Sequence, residues 1–213
     1  MKNQQETIAE LASAEEWVRR RAIQTLSLTG RMMSRDTVER WERDAEFASI
    51  LLRDALITGG KKHGELRATV GIATTPETFQ KIRAANGMPR LADVPPDQDA
   101  AEFELHFTGT DLLDQNRSEV AIRLDILTTR RSGGEGAIAK FLTKFGEGIQ
   151  QVEYEVTDVN QATHILADRF GIKAIYPETR AGADGTRVNF FLVPTASGEK
   201  ILIELVELAR PAG

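Results

Sequence analysis

The side chains able to do chemistry in this sequence are mostly carboxylates. There is no cysteine, which removes a thiolate nucleophile, a Cys-based zinc or iron–sulfur site and any disulfide framework. Three histidines, His63, His106 and His164, lie far apart. His106 follows Glu104 by two residues, so on a strand the two share a face and can reach one cavity together. Arg123 and Asp125 share a face in the same way. An arginine beside a carboxylate also reads as a self-contained hydrogen-bonded pair that fills space instead of binding anything. His63 in a linker and His164 on a helix read as solvent-facing residues. The run Arg19-Arg20-Arg21 is balanced by nearby acids and reads as a solvated helical face.

Positioning such groups requires a scaffold, and apolar spacing supplies one. Ile8, Leu11, Ala12, Val18, Ala22, Ile23 and Leu26 recur at helical intervals; Val38, Trp41, Ala45, Phe47, Ile50, Leu51 and Ala55 do so again after Asp36, with Glu39 placed for a capping box. The short stretch 29–34 between them predicts an antiparallel helical hairpin over residues 1–62, ending at Gly59-Gly60 and a 61–64 linker.

Beyond the linker the texture changes. Alternation predicts strands at 68–75, 102–107 and 120–127 around a helix at 76–86, with room for a further strand in 88–94. A helix at 137–145 follows a Gly-rich connector. The order then returns, with a strand at 150–156, a helix at 160–170 closed by Gly171, and strands at 173–176, 187–193 and 200–207. Two βαβββ modules, about 67–127 and 148–208, thus form one α+β domain over 63–213, whose curved sheets enclose a shared cavity.

The second module narrows the choice of fold. Its stretch Ala137-Ile-Ala-Lys-Phe-Leu, Gly146-Glu-Gly-Ile-Gln-Gln-Val-Glu-Tyr-Glu-Val156, then Arg180-Ala-Gly, Val188-Asn-Phe-Phe-Leu192 and Ile203-Glu-Leu-Val-Glu207 resembles the methylmalonyl-CoA epimerases in order and wording. In the first module, Thr69-Val-Gly-Ile-Ala73 is similar to their opening strand. The chain is thereby identified as a member of the vicinal oxygen chelate (glyoxalase) superfamily over about residues 67–207.

The resemblance implies a site. In that family each module supplies two strand-borne ligands to one divalent metal, which stabilises an enolate while a carboxylate moves the proton next to a carbonyl. Matching strand to strand puts the ligands at Thr69, Asp125, Gln151 and Glu204, with Gln150 pointing into the core. Both family histidines are replaced, by Thr69 and Gln151. An oxygen-only set favours magnesium, manganese or calcium over zinc or cobalt; the other reading is a cavity with no metal. Glu204 then doubles as ligand and catalytic base, and Asp114 and Glu119 are further base candidates. The implied function is a metal-assisted isomerase or epimerase acting next to a carbonyl, with an acyl-CoA as the substrate class and a homodimer as the assembly. The alternative is a metal-free small-molecule-binding protein or partner subunit.

Composition sets outer limits. Lys and Arg number 27 against 32 Asp and Glu, a net charge of −5, which argues against a broad nucleic-acid footprint. No apolar run approaches the 18 to 20 residues of a membrane span. Residues 1–10 carry acids and amides where an export signal carries positive charge and an apolar stretch, so a cytoplasmic protein is expected.

Overall fold

In the computed structural model, residues 3–55, 64–110, 119–131, 133–195, 198 and 200–209 are described. The N-terminal part consists of α1 (Gln4–Glu10), α2 (Glu16–Trp41) and α3 (Ala45–Ile50), followed by β1 (Arg53–Ala55) and β2 (Gly64–Leu66), which pair antiparallel. The remainder is β3 (Ala68–Ala73), α4 (Pro76–Ala85), β4 (Ala100–Thr110), β5 (Glu119–Thr129), α5 (Ala137–Phe145), β6 (Gly148–Val156), α6 (Val159–Phe170), β7 (Arg180–Ala181), β8 (Arg187–Pro194) and β9 (Lys200–Glu207).

These strands form one curled sheet in the order β4-β5-β3-β6-β9-β8-β7. Its centre is the antiparallel pair β3/β6, with β5 parallel to β3 and β9 parallel to β6. The register repeats across this centre. Gly71 pairs with Asp125 as Glu153 pairs with Glu204, and Thr69 meets Glu153 as Gly71 meets Gln151. A pseudo-twofold therefore exchanges Thr69 with Gln151, Gly71 with Glu153, and Asp125 with Glu204.

One sheet face packs the core. Val70, Ile72, Leu124, Ile126, Val152, Tyr154, Ile203 and Leu205 are buried there, together with Phe79 and Ile82 of α4, Ile165 and Leu166 of α6, and Ala22, Ile23, Leu26 and Val38 of α2. Period-two alternation leaves the other face free for the cavity.

The expected hairpin is not present. α2 runs unbroken through 29–34 and through Asp36, so the expected cap lies inside a helix. Gly30 explains this, since a Cβ there would stand 2.6 Å from Val70 Cγ1. The glycine permits close packing of α2 on the sheet and makes no turn. The real cap is Asp44, whose side chain accepts from Glu46 N and Phe47 N, and the chain turns extended at Leu51, so 53–55 is strand where helix was expected. The expected end at Gly59-Gly60, and His63, lie outside the described residues.

Two short strands are also absent. Segment 88–94 forms none; Pro89, Pro95 and Pro96 remove backbone donors from that loop, which makes one backbone bond to β4, Ala92 N to Glu102 O at 3.0 Å, and reaches Asp184 of the second module through Arg90 and Asp93. Segment 173–176 contributes one sheet-like bond, Ile175 N to Phe190 O at 2.7 Å. Pairing with β8 resumes only at Arg180 and Ala181.

Candidate functional site

The cavity-facing positions follow from strand parity. β3 presents Thr69, β5 presents Asp125, β6 presents Gln151 and Glu153, β9 presents Glu204, and β4 presents Glu102 and Glu104. All line one cavity of about 930 Å³ on the concave side. The four positions implied by the resemblance therefore share a floor, on the four consecutive strands β5-β3-β6-β9.

A hydrogen-bonded chain joins Asp125, Gln151 and Glu204 through Glu153. Gln151 Nε2 donates to Glu153 Oε1 at 3.1 Å and also to Glu204 Oε2. Asp125 and Glu153 share a side-chain hydrogen bond, which requires a proton on one of two carboxyls. Thr69, Gln151 and Glu204 are buried at 8%, 7% and 7% exposure.

Desolvation sets the electrostatics. Burial first, and then the Glu153 charge, push the Asp125 carboxyl well above the usual carboxylate range. Glu204 is raised in the same way by burial and then by Glu153 and Glu102. Burial raises Glu153 as well. Glu102 is lifted to about 7, by burial and then by Glu153 and Asp184.

Sequence reasoning passed over two of these acids. Glu153 stands in the motif 146–156 and Glu102 at the start of the strand expected at 102–107, neither singled out as a site residue. The missing signal was parity carried one step further, since Glu102 shares a face with Glu104 and His106.

Other expectations are corrected. Arg123 does not pair with Asp125; its Nη1 bonds Asp54 Oδ2 of β1 at 2.8 Å, so a β-hairpin invisible to periodicity captures it. Gln150 does not enter the core. The β3/β6 register slips there, Gly71 facing Gln151 while Ile72 faces Ile149. The extra residue of this bulge lines the cavity, its buried Oε1 without a hydrogen-bond partner among the described residues. His106 does reach the cavity face, but as a mostly exposed side chain whose Nδ1 lies 2.9 Å from Glu104 Oε1. His164 is exposed. Asp114 and the Glu119 side chain lie outside the described residues.

The mouth is spanned by contacts between modules. Asp184 accepts from the Arg90 guanidinium and from Asp93 N at 2.9 Å, and Gln98 Nε2 donates to Ala181 O at 2.7 Å. Arg180 is ion-paired with Asp97.

The floor supplies carboxylate, amide and hydroxyl oxygens and no imidazole, a donor chemistry that fits a hard divalent cation and not zinc or cobalt. Crowded carboxyls with no cationic partner among the described residues are what such an ion would neutralise. As the side chains stand, however, no group of three or more His, Asp or Glu among the described residues is arranged to hold a metal. Gln151 also turns a donor toward the two carboxyls it would accompany as a ligand.

No protein-family model matches this chain, and no curated protein does. Solved structures do. Streptomyces coelicolor methylmalonyl-CoA epimerase in complex with 2-nitronate-propionyl-CoA matches at 25% identity and TM-score 0.51, over 67% of this chain and 96% of that one. A methylmalonyl-CoA epimerase in complex with methylmalonyl-CoA and NH4+ matches at 28% and 0.51, over 66% and 92%. The Mycobacterium tuberculosis methylmalonyl-CoA epimerase matches at 25% and 0.50, over 75% and 91%. Among the described residues no helix is long and apolar enough to cross a membrane.

Proposed function

From a chain with the vicinal oxygen chelate fold, the fold of methylmalonyl-CoA epimerases, we propose an enzyme that moves a proton on the carbon next to a carbonyl, as an epimerase or isomerase of an acyl-CoA. The observation carrying this reading is Glu102, a recessed carboxyl lifted to about 7 on the wall of the cavity. A base poised near neutral pH can both accept a carbon-bound proton and return it.

Epimerisation needs two such groups, one to take the proton from one face of the carbon and one to return it from the other. Glu102 on β4 and Glu204 on β9 are the pair best suited, because they belong to different modules and line the same cavity. Gln151 fixes the Glu204 carboxyl through its amide. Asp125 holds the proton it shares with Glu153, and Glu153, accepting from Asp125 and from Gln151, orients both neighbours. Thr69, Asp125, Gln151 and Glu204 are the residues that would hold a hard divalent cation, with the Gln151 amide turned to present its oxygen, and the ion would supply Lewis-acid polarisation of the substrate carbonyl when bound.

The reading is tested by following α-deuterium uptake into acyl-CoAs in D2O by mass spectrometry, with and without added manganese. Glu102→Gln and Glu204→Gln are each expected to lower the rate at least about a hundredfold. Wild-type exchange no faster than the protein-free control overturns it.

A second reading, a metal-free binding protein, is favoured by one observation: the Asp125, Glu153, Gln151 and Glu204 side chains satisfy one another. Tight acyl-CoA binding without exchange would select it.

A further inference from the structure

The pseudo-twofold that relates the two halves of the cavity is broken in its side chains. Phe190 faces Glu204 across β8/β9 as Glu104 faces Asp125 across β4/β5, and Leu202 occupies on β9 the place of Arg123 on β5. Charged residues of the first module thus have apolar mates in the second. Leu202 and Val206 bracket Glu204 along β9; Phe190 stands beside it, and Ile175 and Leu208 extend the same surface toward the mouth. Ile175 and Leu208 are 49% and 46% exposed, an apolar surface left uncovered where the cavity opens.

The opposite wall cannot welcome another anion. Glu102, Glu104, Asp125 and Glu153 face the cavity there. Of the cations lining the cavity, Arg67 is engaged by Asp54 at 3.0 Å and Glu155 at 3.1 Å, and Lys140 belongs to α5, which packs on β3, β5 and β6 and not on the β8/β9 side. Arg90 and Arg180 at the mouth are held by Asp184 and Asp97. A substrate carboxylate placed on this floor would be desolvated beside like charges.

Resting on the acyl-CoA reading above, we propose that the cavity takes an acyl group with an uncharged, apolar end, seated against Phe190, Leu202 and Val206, and discriminates against dicarboxylic acyl groups. The reacting carbon then lies at the polar boundary between β6 and β9, where Glu204 meets Glu153 in register. The hydrocarbon end lies on the β8/β9 side. Burial of each additional methylene there adds to affinity, whereas a carboxylate in its place meets Phe190, Leu202 and Val206 instead of a cation.

The test compares 2-methylbutanoyl-CoA with methylmalonyl-CoA, binding each to the full chain by calorimetry near pH 7.5, with and without manganese. The apolar ligand is expected to bind at least about tenfold tighter. Equal or tighter binding of methylmalonyl-CoA overturns this proposal while leaving an acyl-CoA enzyme intact. If neither ligand binds more tightly than CoA itself, the acyl-CoA reading falls and this proposal falls with it. Leu202→Arg installs a cation where the other module already carries one. With its fold confirmed by an unchanged melting profile, it is expected to shift the preference toward methylmalonyl-CoA by about tenfold or more. A folded variant with an unmoved preference would show that the acyl group sits elsewhere.

Discussion

Gly71 lies opposite Gln151 across the central strand pair, and a Cβ on Gly71 would stand 2.7 Å from Gln151 Cγ. The absent side chain is what lets Gln151 lie over the floor and bond Glu153 and Glu204 together. Gly71→Ala is expected to push Gln151 off both carboxyls, cost about 1–3 kcal/mol as overpacking does, and lower acyl-CoA affinity at least about tenfold. Denaturant unfolding and calorimetry check the two effects. An alanine variant with native stability and affinity would remove Gln151 from the site.

Glu102 gives a pH signature whose sign is fixed by its direction of shift. Its folded value is about 7 against a reference of 4.5, so the folded state holds its proton more tightly than the unfolded chain. That contribution to stability is complete below about pH 4.5 and is lost as pH rises through about 7. At pH 8 the wild type should therefore be less stable than Glu102→Gln, by up to about 3 kcal/mol on the shift alone, with the two converging near pH 4. Exchange activity should rise with pH through an apparent value near 7 and lose that limb in the variant. Parallel unfolding curves at pH 4, 6 and 8 are the measurement.

Much of this was legible in the sequence. β9 is found at its expected bounds, 200–207, and α5 at its expected 137–145, because strong alternation and a run of helix formers leave little choice. The four floor positions were named by the resemblance, motif by motif, and strand parity put them on one face. What remained hidden depended on contacts distant in sequence. Arg123 is claimed by Asp54, 69 residues away, and Gly30 read as a turn until Val70 was seen against it. The Gln150 bulge is a property of two strands together and leaves no mark on one.

Ser34 of α2 and Tyr154 of β6 form a buried hydroxyl pair at 2.6 Å, and burial pushes the tyrosine up to about 12. Ser34→Ala leaves the phenol without that partner and is expected to cost about 1–3 kcal/mol. Tyr154→Phe in the same background should recover part of the loss, because removing both partners is cheaper than orphaning one. A double-mutant cycle by urea unfolding gives the coupling; values that simply add would mean the pair contributes nothing of its own.

The N-terminal helices are integral to the protein that carries the cavity. Ile8, Leu11, Leu26, Trp41 and Phe47 are essentially inaccessible and belong to the same continuous core as Val70, Val152 and Leu205 of the sheet. Trp41 and Phe47 meet edge to face with centroids 5.5 Å apart. Each such side chain contributes about 1.5–3 kcal/mol of burial, so removing the segment strips away an amount comparable to the whole net stability of an ordinary domain, about 5–15 kcal/mol. It also uncovers the back of the central strands, an apolar surface prone to association. Deletion of residues 1–50 is therefore expected to give insoluble or molten protein that binds no acyl-CoA, judged by size-exclusion chromatography, near-UV circular dichroism and calorimetry. A soluble monomer with the wild-type melting temperature and affinity would mean that the helices are an appendage and that the sheet closes its own core.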